Sequence, residues 1–419
     1  MRRLHARWVL PVGAPPLRDA TVVLDDTRIH WVGPRAAAPP ADVEQDLGDA
    51  VLLPGLVNAH THLDLAPFAG RALPRDFPAW IRALVGTLND APTVILQRGA
   101  EWAARDQLAH GVTTVADTAP NRFAFDALRR VGLRGIAYRE VFGPEPAHAP
   151  LALRALHEAV TDMRRDATDL VRVGVSPHAP YSVADPLYRA VATYARAEAL
   201  PVAVHIAESS AESALVRDGT GPFAAYLRDL RGIAVTARAA SPIALLDALE
   251  VLSARPLCIH AVQVEADDIA RLADRGASVA HCPCSNAWFG HGRSPVAAFR
   301  AHGIAVGLGT DSIASNAQVR VRREARAAAD DTLTSAQRLA LATHGGAEAL
   351  GLGTVIGRIA PGFEADLVAF AVDDADRADA DPARYVLDLP DDARPLLTLI
   401  AGRDRTVTDP VLAPAPDLP

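Results

Sequence analysis

The chain contains no lysine: its 42 basic residues are all arginine. That absence excludes a Schiff-base lysine, a phosphate-loop lysine and a two-metal site bridged by a carbamylated lysine. Cysteine is nearly as scarce. Three in 419 residues, Cys258, Cys282 and Cys284, are too few for a disulfide framework. No run of about 18 apolar residues is present, so no membrane-spanning helix is expected. The opening MRRLHARWVLPVGAPP has arginines but neither a sustained apolar core nor a small-residue cleavage site, and does not read as a secretory signal. A reducing cytoplasm is the expected setting. The formal net charge is −8 with no basic block or stripe, so neither nucleic acid nor a membrane is expected as a partner.

What is present is ample apolar sequence. Hydrophobic residues make up 50% of the chain, and its length suits a barrel with an accessory domain. Residues 1–50 read as short strands, with β-rich runs at 20–24 and 29–32 around an Asp-Asp-Thr turn, then a Pro- and Ala-rich loop at 34–41. From Val51 the pattern becomes strands alternating with helices. Eight apolar runs end in polar residues: LVNAHTH (56–62), GVTTVAD (111–117), GIAYRE (135–140), VRVGVSPH (171–178), PVAVHIAE (201–208), PLCIH (256–260), ASVAH (277–281) and IAVGLGTD (304–311). Between them, Ala184-Asp185-Pro186 reads as a helix start with Asp185 as its cap. Leu187, Ala190, Val191 and Tyr194 follow on one face, and Leu153, Leu156, Val160 and Met163 form another apolar stripe, read as core.

This alternation is the α/β pattern of a (β/α)8 TIM barrel, whose chemistry gathers at the C-terminal ends of the strands. After about residue 350 the sequence turns β-rich again, at 357–362 and 365–370. Residues 1–52 plus 352–408 are expected to form a small discontinuous β-sandwich domain, 53–351 the barrel, and 409–419, rich in Pro and Ala, a flexible tail.

The chemistry follows from which polar residues end those runs. His60 and His62 are two apart, so on a strand both imidazoles point to one side. His205 ends a later run, and Asp311 ends the last one within Gly309-Thr310-Asp311-Ser312. Three histidines and a carboxylate suit one divalent ion, Zn2+ first and Fe2+ second. Such an ion lowers the pKa of bound water toward about 7. Asp311 can also accept that water's proton. Glu208, three residues after His205, is placed to shuttle a proton, and His260 to hold the attacking oxygen. His178, in a Pro-rich segment, is a candidate substrate contact. His281-Cys282-Pro283-Cys284 does not have the spacing of a zinc cluster or of the HxE…PCxxC deaminases. His110, His148, His157, His291, His302 and His344 have no such positional support and are read as surface or helix residues.

These segments resemble the cytosine deaminase-like, chlorohydrolase-like branch of the amidohydrolase superfamily. The resemblance runs from Leu53-Pro54-Gly55-Leu56-Val57-Asn58-Ala59-His60-Thr61-His62-Leu63 through Ser176-Pro177-His178, His205-Ile206-Ala207-Glu208 and Ile259-His260-Ala261. It continues through His281-Cys282-Pro283-Cys284-Ser285-Asn286 and Gly309-Thr310-Asp311-Ser312 to the tail segment at 357–368. It implies one Zn2+ or Fe2+ on His60, His62, His205 and Asp311, with Glu208 as proton shuttle and His260 as the histidine that orients the attacking oxygen. It also implies a small heterocyclic substrate and, by analogy, a homo-oligomer. Phe77-Pro78-Ala79-Trp80-Ile81 resembles the lid of enzymes acting on nucleosides, with Trp80 set to stack on a purine. Adenosylhomocysteine deaminases carry a ribose-binding glutamate shortly after that tryptophan, where this chain has Asn89 and Asp90. The run at 59–65, the lid and Arg139-Glu140-Val141-Phe142-Gly143 are more similar to the aminodeoxyfutalosine deaminases of menaquinone synthesis, which makes Glu140 a further candidate substrate contact. The alternatives are deamination of adenosylhomocysteine, adenosine or guanine, hydrolysis of another heterocycle with a different leaving group, and an inactive binding protein on the same fold.

Overall fold

The computed structural model describes residues 1–329 and 332–409. The tail expected at 409–419 lies, from 410 onward, outside the described residues.

Each of the eight apolar runs forms a parallel strand. The strands β1 (Leu56–Thr61), β2 (Val112–Ala119), β3 (Arg134–Val141) and β4 (Val171–Pro177) pair in that order. The strands β5 (Ala203–Ile206), β6 (Leu257–His260), β7 (Ser278–His281) and β8 (Val306–Leu308) form a second parallel set. Two parallel bridges, Val175 with Val202 and Thr61 with Asp311, join the sets at both edges and close the ring. Closure satisfies the edge backbone groups that an open sheet would leave unpaired.

The seam between β8 and β1 is tied most tightly. Asn58 accepts from Thr310 N at 3.0 Å and donates to Thr310 Oγ1 at 2.8 Å, while Thr61 Oγ1 donates to the Asp311 carbonyl at 3.0 Å. Gly309 permits the approach: a Cβ there would stand 2.8 Å from His60 Cβ and 2.9 Å from Cys282 Sγ. The sequence Gly-Thr-Asp thus brings Asp311 against His60.

Helices cover the ring through buried Leu128, Val160, Leu187, Val191 and Leu272, packed on strand residues such as Val115, Val173, Val204 and Val279. Each such side chain contributes roughly 1.5–3 kcal/mol by leaving water. The helix Asp185–Ala197 starts where the sequence places it, but Asp185 is not its cap. Ala184 holds the cap position with no side-chain bond, and the Asp185 carboxylate is drawn instead to Arg238 Nε at 2.9 Å.

The accessory strands, among them Arg2–Val9, Leu17–Asp25, Ala50–Pro54 and Leu367–Ala371, are hydrogen-bonded into one eight-stranded sheet. The sheet curls over its own core of Leu4, Val22, Leu24, Ile29, Leu52, Leu367 and Leu399 until Arg28 bridges Glu364. The segment 357–362 forms no strand. Gly357 and Gly362, at φ 90° and 88°, turn the chain there instead.

Candidate active site

The C-terminal ends of β1, β5, β6 and β8 converge. His60 and His62 project to the same side of β1 with ring centroids 4.8 Å apart. His60 Nε2 is 3.3 Å from His205 Nε2, and the Nε2 atoms of His60 and His62 each lie 3.5 Å from Asp311 Oδ1. Ligands held tetrahedrally at about 2.1 Å stand about 3.4 Å from one another, so these three distances suit donors that share a divalent ion. The donor atoms of His60, His62 and Asp311, and those of His60, His205 and His260, lie within 4.8 Å of one another. The donor chemistry fits too. Burial above all lowers His60 to about 3 and His205 well below its usual range, which leaves the ring nitrogens neutral. Burial opposes the ionisation of Asp311, but the contact with His60 and the charges of His260, His60 and His62 hold its carboxyl well below the usual range. Asp311 Oδ2 accepts from Ser285 at 2.5 Å and Ser315 at 3.1 Å, leaving Oδ1 for the cluster. His62 Nδ1 donates to the Thr118 carbonyl at 2.8 Å, aiming Nε2 inward.

Around this cluster stand further buried titratable groups. Glu208 is buried, with Oε1 at 3.7 Å from His260 Nε2 and 3.5 Å from His291 Nε2. Burial chiefly, opposed by His260, pushes its carboxyl up to about 7. His260 Nδ1 donates to Asn286 Oδ1 at 3.0 Å, which turns Nε2 toward Glu208. The backbone here is strained: Ala207, His260, Ala261 and Asp311 have φ of 51°, 73°, 44° and 54°. Non-glycine residues hold such angles only where surroundings fix them, and they gather at functional sites. Glu212 supplies part of that fixing, since its carboxylate accepts from Ala207 N at 2.7 Å and Glu208 N at 3.1 Å.

His178 and Glu140 both lie beside His205. The His178 ring centroid is 4.9 Å from that of His205, and its Nδ1 bonds Ser182 Oγ at 2.7 Å. Glu140, expected at the substrate, sits behind His205, with Oε1 3.7 Å from Nδ1. It is 6% exposed and shares a close group of donor atoms with His178 and His205. The lid helix Phe77–Asp90 is capped by Asp76, which accepts from Ala79 N at 3.0 Å. Trp80 packs in that roof, near-parallel to Phe77 and edge-on to Phe289, and donates to the Ala314 carbonyl at 3.3 Å. Asn89 and Asp90 are exposed at the helix's far end.

His291, read from sequence as a surface or helix residue, is instead brought into the site with its side chain 7% exposed. The available signal was its place between two glycines: Gly290 and Gly292, at φ 69° and 102°, turn the chain back toward the barrel mouth. Glu212 carried a signal as well, as the fourth residue of a Ser-x-x-Glu cap directly after Glu208. His344 lies elsewhere, lining a cleft of about 670 Å³ with Arg300, Glu348 and Arg358 beside the start of β8. No helix among the described residues is long and apolar enough to cross a membrane.

Residues 51–404 match the amidohydrolase family. The chain is 36% identical over 301 residues to an aminodeoxyfutalosine deaminase of Deinococcus radiodurans, covering 68% of this chain and 69% of that one. It is 30% identical over 381 residues to a 5-methylthioadenosine/S-adenosylhomocysteine deaminase of Moorella thermoacetica, covering 86% and 83%. A crystal structure of an adenosine deaminase from Xanthomonas campestris with bound zinc superposes with a TM-score of 0.82 at 26% identity, covering 97% and 93%. The chain belongs to the amidohydrolase family. It is a hydrolytic enzyme of that family's deaminase type, acting on carbon–nitrogen bonds other than peptide bonds.

Proposed function

We propose that the chain is a zinc-dependent deaminase of aminopurine nucleosides, with aminodeoxyfutalosine as its preferred substrate. The observation that carries this reading is the meeting of a buried acid near pKa 7, Glu208, with a four-donor cluster and a second oriented histidine. A divalent ion held by His60, His62, His205 and Asp311 would supply an acidified water there. Asp311, its Oδ2 held by two serine hydroxyls, is the carboxylate placed to take up a proton. His260, steadied by Asn286, presents Nε2 to the attacking oxygen. Glu208 protonates a ring nitrogen as the amine-bearing carbon becomes tetrahedral, and the acid–base pair of Glu208 and Asp311 then protonates the leaving amine. The products are the oxo-purine and ammonia. His178 contacts the ring from beside His205, and Trp80 closes the roof over it.

The preference for aminodeoxyfutalosine draws on the Deinococcus relative and on the exposed position of Asn89 and Asp90, which puts no carboxylate of this helix end at a ribose. It would place the chain in menaquinone synthesis, in a reducing cytoplasm that its three free cysteines suit. A second reading, deamination of methylthioadenosine or adenosylhomocysteine, is favoured by the larger share of the chain that the Moorella relative covers. Ammonia release from aminodeoxyfutalosine, adenosine, adenosylhomocysteine and guanine, with metal content determined, decides between them. Fast release from aminodeoxyfutalosine alone supports the first reading. Turnover of adenosylhomocysteine with none of aminodeoxyfutalosine refutes it.

A further inference from the structure

We propose that His291 is a positioning residue for Glu208: it donates a hydrogen bond from Nε2 to Glu208 Oε1 and holds the carboxyl in the one orientation from which it can reach the substrate. The inference rests on the reading of Glu208 as the proton shuttle.

The geometry singles this histidine out. Its Nε2 lies 3.5 Å from Glu208 Oε1, closer than the 3.7 Å of His260 Nε2 to the same oxygen. That Nε2 is buried and makes no hydrogen bond to any other group. A buried imidazole nitrogen without a partner is costly, so a small closure onto Glu208 is the favourable way to satisfy it. The ring has little freedom to do otherwise. Phe289 stacks on it at 5.3 Å and Phe77 meets it edge-on at 4.8 Å. Its backbone is pinned on both sides: His291 N donates to the Asn286 carbonyl at 2.9 Å, and its own carbonyl accepts from Gln263 Nε2 at 2.6 Å.

Asn286 therefore performs two tasks. Its side chain orients His260 and its main chain anchors His291, so both imidazoles converge on one carboxyl oxygen from a single support. The other groups facing Glu208 include Asp311, Tyr181 and Cys282, through charge, and Glu212, through the Glu208 main chain. None of them makes a hydrogen bond to the Glu208 carboxyl. Phe77 belongs to the helix Phe77–Asp90, so the ring that sets the shuttle also packs against that helix.

The test compares two variants of the full, metal-loaded chain. His291→Phe fills the space between Phe77 and Phe289 without a donor. His291→Gln returns an N–H near the Nε2 position. Loss of a hydrogen bond to a carboxyl that becomes charged as it gives up its proton predicts a kcat about ten- to a hundredfold lower in the Phe variant, with KM within about threefold and metal content unchanged. The Gln variant should recover a large part of that loss. Added to Glu208→Gln, the Phe substitution should cost nothing more, because the group it positions is already disabled. A second readout needs no substrate. The infrared carbonyl band of protonated Glu208, identified by its disappearance in Glu208→Gln, should shift in His291→Phe and return toward its place in His291→Gln. That arm separates the two ideas: absence of turnover on every nucleoside sinks the deaminase reading, whereas an unmoved band sinks this one. Full kcat in the Phe variant, a change in KM alone, or a loss additive with Glu208→Gln would likewise overturn it.

Discussion

The strand β3 carries a buried charged residue near each end, and the fold treats the two in opposite ways. At its start Arg134, 5% exposed, forms a two-pronged pair with Asp366, Nε to Oδ2 at 2.7 Å and Nη2 to Oδ1 at 3.1 Å, and also reaches Glu364. Asp366 further accepts from Ala401 N at 2.7 Å. Burial works against the guanidinium charge, yet Asp366 holds its pKa above the ordinary value. At the other end, Glu140 has an oxygen with no hydrogen-bond partner. Burial first, then the nearby carboxyls of Asp64 and Asp117, push its pKa well above the usual range. At the foot of the barrel opposite charges meet and lock barrel to accessory sheet. At the mouth carboxyls and lone-pair nitrogens crowd together, an arrangement that a divalent cation relieves. Paired burial marks structure and like-with-like burial marks chemistry, in keeping with the division of labour between the two faces of such barrels.

The widest separation between the two ends should come from Glu208→Gln. It removes the shuttled proton and leaves shape and ligands intact, so kcat should fall about 10²- to 10⁴-fold. Metal content and thermal midpoint should stay where they are. Undiminished turnover would take Glu208 out of the reaction and leave the mouth without its acid.

Arg134→Ala should do the reverse. It strands the Asp366 charge in the interior, and breaking such a pair costs about 3–5 kcal/mol. Urea unfolding should show that loss, while kcat and KM of the folded fraction remain those of the parent. Replacing both partners, Arg134→Met with Asp366→Leu, should restore much of the stability. A drop in kcat/KM at full stability would show that foot and mouth are not independent.

The contrast also marks where sequence was informative. All eight barrel strands were legible, and so was the convergence of His60, His62, His205 and Asp311 at one end of the ring, because strand periodicity and the placement of polar residues at run ends are local patterns. The division proposed at 52/53 falls inside the strand Ala50–Pro54, which pairs with Leu367–Ala371. What was hidden depends on distant contacts. Asp185 is a good cap by its neighbours, but Arg238, far along the chain, claims its carboxylate. His291 follows a short helix and reads as a surface or helix residue, yet Gly290 and Gly292 turn it toward Glu208. Glu140 reads as a candidate substrate contact, and its place along the chain says nothing of its depth beside His205.

Glu140→Gln should give a smaller effect of mixed sign. A neutral amide ends the carboxyl crowding, so the metal-free chain should unfold at no lower temperature than the parent. The amide also backs His205 with a weaker acceptor, so metal affinity should fall about 10- to 100-fold, measured by competition with a chelator. A loss of metal-free stability as large as that of Arg134→Ala would erase the distinction between the two ends of β3.

The smallest expected effect is on the pH dependence of stability. Burial raises Glu212 and Glu324 to about 8, although backbone N–H groups of Ala207, Glu208 and Cys284 pull the other way. A carboxyl whose folded pKa lies above its unfolded value binds its proton more tightly in the folded chain. Its contribution is whole below the unfolded pKa and is lost as pH rises through the folded one. The buried histidines work in the opposite sense, since His60, His178 and His281 are lowered by burial to about 3. Their effect is complete once the unfolded imidazoles are neutral, above about pH 7. Between about pH 7 and 9 the carboxyls therefore act without them, and the thermal midpoint of the metal-free chain should decline. Glu324→Gln should flatten that decline. The slope is the quantity to read, because a glutamine must turn its amide toward either Cys284 N or Asn316 Nδ2 and so lowers the midpoint at every pH. An unchanged slope would mean that Glu324 is ionised in the folded chain, stabilised by those two donors strongly enough to outweigh its burial.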